Sequence, residues 1–235
     1  MRYWDKQWHI INGCSHVSEA CENCWLERQY KRCGWDFNNI KWNIEQREIP
    51  IKNKKPTTYL VLSDLFHELI KAFDITYTFE VMEACPQHTF IVCTKRPERI
   101  SQVLYGQEGR FFLGGYDYIK NIWLGTTVEN QEMTKRIPHL ISASPFKLFL
   151  SIEPMLGNIT IEPEWLRHIN LVIAGCESGN KYKTRYTRSI WVENIKAQSI
   201  QARVPIYTKQ MIINGKIADD LLHYSTIKKE DLFKS

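Results

Sequence analysis

Phe90-Ile91-Val92-Cys93 runs directly into Thr94-Lys95-Arg96 and then Pro97. Four apolar residues in succession, closed by polar groups and a proline suited to a first helical turn, read as a buried strand feeding a helix. The same grammar recurs on both sides. Trp8-His9-Ile10-Ile11 leads into Asn12, Gly13 and Cys14, and Tyr59-Leu60-Val61-Leu62 into Ser63 and Asp64. Ile122-Trp123-Leu124-Gly125 precedes Thr126, Thr127 and Glu129, and Lys147-Leu148-Phe149-Leu150 precedes Ser151, Glu153 and Pro154. Leu171-Val172-Ile173-Ala174 precedes Gly175, Cys176 and Glu177, and Pro205-Ile206-Tyr207 precedes Thr208, Lys209 and Gln210.

Continuous apolar runs suit parallel strands covered on both faces. Helical stretches are expected between them at 64–84, 97–104, 132–142 and 189–201, with Asp64 and Ser189 as caps. Alternation of this kind predicts βαβ units and an α/β fold of six or seven repeats that closes fully or partly into a barrel. In barrels the site gathers at the carboxyl ends of the strands, where the polar tails above would meet. Residues 32–56 read as a long loop or insertion, and residues 1–235 as one domain, the tail after about 211 being the weakest part of that reading.

Composition agrees with a folded protein: 43% hydrophobic and 12% aromatic residues. No apolar run is long enough to span a bilayer, and the N-terminal MRYWDKQWHI has no signal-peptide core, so a cytoplasmic protein is expected. A net charge of +5 permits a polyanionic partner without demanding one.

An odd cysteine count, seven, in a reducing compartment points away from a disulfide framework. Three of the seven, Cys14, Cys21 and Cys24, sit at C-x6-C-x2-C in the loop after the first expected strand. Three thiolates on one loop can hold three irons of a 4Fe–4S cube and leave the fourth iron for a small molecule. The same pair Cys21 and Cys24 can also be half of a zinc site completed by Cys14, His16 or Cys33.

The segments NGCSHVSEACENCW, LSDLFHE, PQHTFIVCTKRPERI, IWLGTTVENQ, FLSIEPMLG, VIAGCESG and PIYTKQ run in order over nearly the whole chain to about residue 210. With them the chain resembles a phage-associated three-cysteine family that is similar to radical S-adenosylmethionine (radical SAM) enzymes. The resemblance implies a partial (β/α)6-type parallel barrel, a 4Fe–4S cluster on Cys14, Cys21 and Cys24, and S-adenosyl-L-methionine as cofactor. It also implies a one-electron donor protein, and a location in the host cytoplasm if the gene is phage-borne. Two departures stand out: the wider superfamily spaces its cysteines C-x3-C-x2-C, and Asn23 takes a place usually aromatic and packed on adenine.

Under that resemblance Ser63 and Asp64 are placed to grip the cofactor's amino group, with Thr126, Glu129, Asn130, Ser151, Glu153 and Glu177 as further cofactor contacts. Gly175, Glu177 and Gly179 form a tight turn that lets backbone approach a ligand. Lys95, Glu153 and Cys176 are the candidate catalytic groups. Lys95 and Arg96, with Lys209, are candidates for binding phosphate or carboxylate. Cys33, Cys85 and Cys93 are assigned to packing, and His67 and His88 to ordinary structural roles. Trp4, Trp8, Trp25, Trp35 and Trp42 can stack on a nucleobase or fill the core. The expected activity is hydrogen-atom abstraction from a nucleobase, in modification of phage DNA. The competing expectation is a zinc- or cluster-bearing module that binds nucleic acid or protein without catalysis.

Overall fold

The computed structural model describes residues 2–106, 119–143, 146–177, 185–213, 216–219 and 221–233. In chain order its elements are β1 (Lys6–Trp8), β2 (Ile11–Asn12), α1 (Trp25–Cys33), β3 (Lys41–Trp42), α2 (Ile49–Lys52) and β4 (Thr58–Val61). There follow α3 (Ala72–Glu83), β5 (Thr89–Thr94), α4 (Glu98–Tyr105), β6 (Ile122–Thr127), α5 (Arg136–Ile141) and β7 (Lys147–Ile152). The chain then forms α6 (Pro163–Leu166), β8 (Leu171–Gly175), α7 (Ser189–Gln201), β9 (Ile206–Ile213) and β10 (Lys216–Asp219).

Eight strands make one sheet in the order β1-β4-β5-β6-β7-β8-β9-β10. All neighbours pair in parallel except β9 and β10. The fold is therefore α/β with a mostly parallel sheet, and among the described residues no pairing joins its first strand to its last. No helix among the described residues is long and apolar enough to cross a membrane.

Strand side chains alternate between two cores because successive residues of a strand point to opposite faces. Tyr59, Val61, Phe90, Val92, Leu124, Leu148 and Val172 pack with apolar residues of α3 to α7 in the larger core. Leu60, Leu62, Ile91, Trp123, Phe149, Ile173 and Tyr207 face the other way. There they meet Leu26 and Tyr30 of α1, Phe37, and Leu232 and Phe233 of the C-terminal tail. The helices of the βα units thus occupy one face, while α1 and the tail cover the other.

Several expectations shift by a few residues. The apolar run at 8–11 is divided: Lys6–Trp8 pairs with Tyr59–Val61 in the large sheet, and Ile11–Asn12 turns away to pair with Lys41–Trp42. Residues 64–71 are successive turns, not helix, and α3 begins at Ala72. The expected cap at Asp64 is overturned because no helix starts directly after it; its carboxylate instead accepts from Phe66 and, across the sheet, from Thr94 of β5 and the following Lys95 and Arg96. Ser189 is the first residue of α7, with Arg188 in the cap position. Residues 32–56 hold β3, α2 and a short 3₁₀ turn at Ile44–Gln46. Helix α1 was not foreseen. Its buried Leu26 and Tyr30 lie one turn apart, and Gly34, at φ 69°, ends it in the left-handed conformation.

Candidate functional site

A cavity of about 240 Å³ opens at the carboxyl ends of the parallel strands. Its apolar floor is made by Leu60, Ile91 and Phe149, inner-face residues of β4, β5 and β7, with Leu62 just after β4. Cys14, Cys21 and Cys24 all line it, with Ser63, Asp64, Lys95, Arg96, Ser151, Glu153, Cys176, Glu177, Lys209 and Gln210.

The cysteine loop is fixed from below. Gly13 has φ 70°, and a Cβ there would lie 2.6 Å from the Phe37 carbonyl oxygen, so this turn requires glycine. Gly13 N–H donates to the Tyr30 hydroxyl at 3.1 Å, and Cys14 N–H to the Phe37 carbonyl at 3.0 Å. A 3₁₀ turn, Glu19–Cys21, carries Cys21, and Cys24 immediately precedes α1. All three thiols are free. Burial, and then the charge of Asp64, pushes the Cys14 thiol up to about 11 against the opposing pull of Arg96.

Arg96 knits this loop to the sheet. Its Nη1 donates to Asp64 Oδ2 at 2.9 Å, its Nε to Glu68 Oε2 at 2.6 Å and its Nη2 to Ser15 Oγ at 2.7 Å. Asp64 also accepts from the Thr94 hydroxyl at 2.6 Å and from the Phe66 and Lys95 amides, both at 3.1 Å. A carboxylate offers about four acceptor positions, so the protein itself saturates Asp64. Its influence on a ligand runs through Arg96 and the loop. His67, assigned no special role from sequence, accepts the Leu69 amide at Nδ1, which leaves Nε2 to donate to Ser15 Oγ at 2.7 Å. Burial, with the charge of Arg96, lowers the His67 pKa and favours this neutral form.

A second tie crosses from the segment after β8. Glu177 accepts from Asn23 Nδ2 at 3.1 Å, from the Arg185 amide at 2.8 Å, and from Arg185 Nε at 3.0 Å and Nη2. Burial alone would raise the Glu177 pKa; the hydrogen bonds from Arg185 and Asn23 outweigh it and hold the carboxyl below its ordinary value. Arg185 Nη1 also reaches Glu19 and Glu22 on the cysteine loop, at 3.2 and 3.3 Å. Asn23, the unexpected residue of the motif, therefore has a local partner in Glu177. Arg185 was not singled out from sequence, since nothing in its spacing marks a partner across the sheet.

The far side of the cavity is aromatic. Lys209 Nζ pairs with Glu153 Oε1 at 2.8 Å and lies 5.5 and 5.9 Å from the rings of Tyr3 and Trp4. Gly175 makes room for Glu153, whose Cγ would be 3.1 Å from an added Cβ. The Glu153–Pro154 bond is cis. Burial pushes the Tyr3 hydroxyl well above its ordinary value, and the charges of Glu153 and Cys93 add to this.

Other expected residues divide. Ser63 lines the cavity at φ 63°, and its buried hydroxyl has no partner among the described residues. Cys93, assigned to packing, also lines the cavity. Thr126 and Glu129 are buried behind the wall: Thr126 donates to the Thr94 carbonyl at 2.8 Å, and Glu129 pairs with Arg136 at 2.8 Å. Asn130 Oδ1 accepts the Met133 amide at 3.1 Å. Gly179 lies outside the described residues.

Among the described residues no group of three or more His, Cys, Asp and Glu side chains is arranged to hold a single metal ion. Of the completing ligands considered for zinc, His16 pairs with Glu27 at 2.8 Å, and Cys33 is exposed and off the cavity wall. A cube makes a different demand, because each thiolate takes its own iron. Three free thiols on one wall, with a guanidinium beside Cys14, suit that donor chemistry.

No curated protein and no solved structure matches the chain. A family model described as "Protein of unknown function (DUF5131)" matches residues 1–230, and the chain belongs to that family.

Proposed function

We propose that this protein is a radical S-adenosylmethionine enzyme that holds a 4Fe–4S cluster on Cys14, Cys21 and Cys24 within a partial (β/α)6-type barrel. The observation that carries the reading is the meeting of all three cysteines with the strand-end polar residues on one cavity. When bound, cluster and cofactor supply one-electron cleavage of the sulfonium and a radical able to abstract hydrogen, the electron coming from a donor protein.

The chain's own residues have definable parts in this. Gly13 and Tyr30 set the loop, and Arg96, through Ser15, fixes the segment next to Cys14. Glu177 and Arg185 hold the stretch between Cys21 and Cys24 through Asn23 and Glu22. Ser63 and Ser151 offer hydroxyls, and Glu153 a carboxylate, toward a cofactor. The floor of Leu60, Leu62, Ile91 and Phe149 keeps water from the reacting groups.

As substrate we propose a nucleobase carried on DNA. The planes of Tyr3, Trp4, Trp25 and Phe37 on the cavity wall support it, together with the net charge of +5. Arg96 and Lys209 are engaged by protein carboxylates, so phosphate contacts belong on the exposed rim.

Anaerobic reconstitution tests the assignment. Wild-type protein is expected to gain cluster absorbance and to cleave the cofactor reductively, while C14A, C21A and C24A each lose the cluster. A C14A protein with an intact cluster and activity would overturn the ligand set, and a cluster without cofactor cleavage would favour the binding-module alternative. Affinity for single-stranded DNA should fall steeply with salt through counterion release. Absence of binding at low salt, alongside turnover of a free small molecule, would sink the nucleic-acid substrate.

A further inference from the structure

Lys95 follows the last residue of β5 and lies on the cavity wall. Its Nζ has one weak hydrogen bond, to Thr127 Oγ1 at 3.4 Å. The other two cations of the wall carry their own carboxylates: Arg96 has Asp64 and Glu68, and Lys209 has Glu153. Among the described residues no carboxylate forms an ion pair with Lys95. A half-buried ammonium on a cavity wall, left without an ion-pair partner, favours an anion within the cavity.

The carboxylates that line the cavity with Lys95 are engaged elsewhere: Asp64 by Arg96, Glu153 by Lys209 and Glu177 by Arg185. Cys14, Cys21 and Cys24 line the same cavity, so a cluster held on them would be an anion enclosed with this ammonium. A cluster held by three thiolates is an anion that becomes more negative on reduction, and net charge is one of the factors that set a cluster's potential.

We infer that Lys95 is the counter-charge of the cluster-bearing cysteine loop, a positioning residue that sets the cluster's reduction potential and does not act on the substrate. The inference rests on the cluster reading above. It reassigns a residue that the sequence offers as catalytic, and it explains why this one cation of the wall lacks a protein acid.

The test is a redox titration of reconstituted full-length protein with dithionite and mediators, followed by electron paramagnetic resonance. K95M keeps the length of the side chain and removes the charge. It should retain cluster absorbance and iron content, with a midpoint potential lower by at least 59 mV, a tenfold shift in a one-electron equilibrium. K95R, which keeps the charge, should stay near wild type. If K95M takes up no cluster while K95R does, the charge acts in assembly and not on the potential of an assembled cluster, and the inference is overturned. It is overturned if K95M has the wild-type potential, including the case in which only cofactor binding weakens. It is equally overturned if K95M and K95R both fail to load while far-UV circular dichroism remains native, since the role is then steric. Wild-type protein that takes up no cluster would instead overturn the cluster reading itself.

Discussion

The two faces of the same strands are built from similar residues and put to different uses. On the helix side Tyr59 and Phe90 are register partners whose rings stack at 5.6 Å, with Trp8 5.7 Å from Phe90, and the Tyr59 hydroxyl is satisfied by Asn53 Nδ2 at 2.7 Å. On the inner side Phe149 lies opposite Gly125 and shares the cavity floor with Leu60, Leu62 and Ile91. The helix side is a filled core, whereas the inner side is a core left incomplete, its gap rimmed by polar strand ends. Hydrophobic alternation builds both, and what separates them is which residues follow each strand.

Three substitutions probe that difference, from the largest expected effect to the smallest. Phe90→Ala removes a fully buried ring from the helix side and should cost about 3–5 kcal/mol in denaturant unfolding. The protein that remains folded should still take up cluster normally. A loss of uptake beyond the unfolded fraction would mean that the two faces are not separable.

Gly125→Ala should cost less, about 1–3 kcal/mol, as an overpacked site. The new Cβ would lie 2.4–2.6 Å from atoms of the Phe149 ring, which must shift. Because Phe149 belongs to the floor, this variant should alter ligand binding in the cavity more than its stability loss explains. Parallel titrations of Phe90→Ala and Gly125→Ala at matched stability would test this.

Glu177→Gln should have the smallest effect at neutral pH, about 1 kcal/mol, because it weakens charge-assisted hydrogen bonds that Arg185 can partly retain. Its signature is pH dependence. The folded protein holds Glu177 below the usual carboxylate range. Its contribution is therefore complete above the unfolded value of about 4.3 and is lost as pH falls through the folded value. Wild type should lose stability across that acid window, and the variant should lose less. Parallel acid profiles would remove the tie from consideration.

The sequence made the sheet legible because a run such as Phe90–Val92 has one reading when polar residues and a proline close it. The run at 8–11 was ambiguous for the opposite reason. Its apolar residues serve two sheets, and composition does not mark where the chain leaves the first. Asp64 misled as a helix cap because an aspartate before apolar residues is the usual cap signal, while its partners, Thr94 and Arg96, are about thirty residues away. Helix α1 could have been found from Leu26 and Tyr30, the Glu27–Lys31 pair and the closing Gly34. At the site, the strand-end rule gathered Ser63, Lys95, Ser151, Glu153, Cys176 and Glu177 on one cavity. It did not separate them from Thr126 and Glu129, because a strand's last residues point alternately into the cavity and behind it. Tyr3, on the cavity wall, and Arg185, which ties Glu177 to the cysteine loop, had no such rule, since both come from segments that carry no strand-end pattern.

The ring of Tyr3 lies 5.5 Å from that of Phe233, and Phe233 in turn meets Phe149 and Trp123. This gives the two faces different timing during synthesis. Each βα unit can bury its helix side soon after it leaves the ribosome, N-terminal units first. Tyr3 and Trp4 are made some two hundred residues before their partners Lys209 and Phe233. The entropy of joining such distant segments grows only slowly with their separation, so the delay is set by translation more than by the join itself. Until Phe233 is made, the part of the inner face around Phe149 and Trp123 lacks its aromatic cover, while α1 and Phe37 already cover the rest.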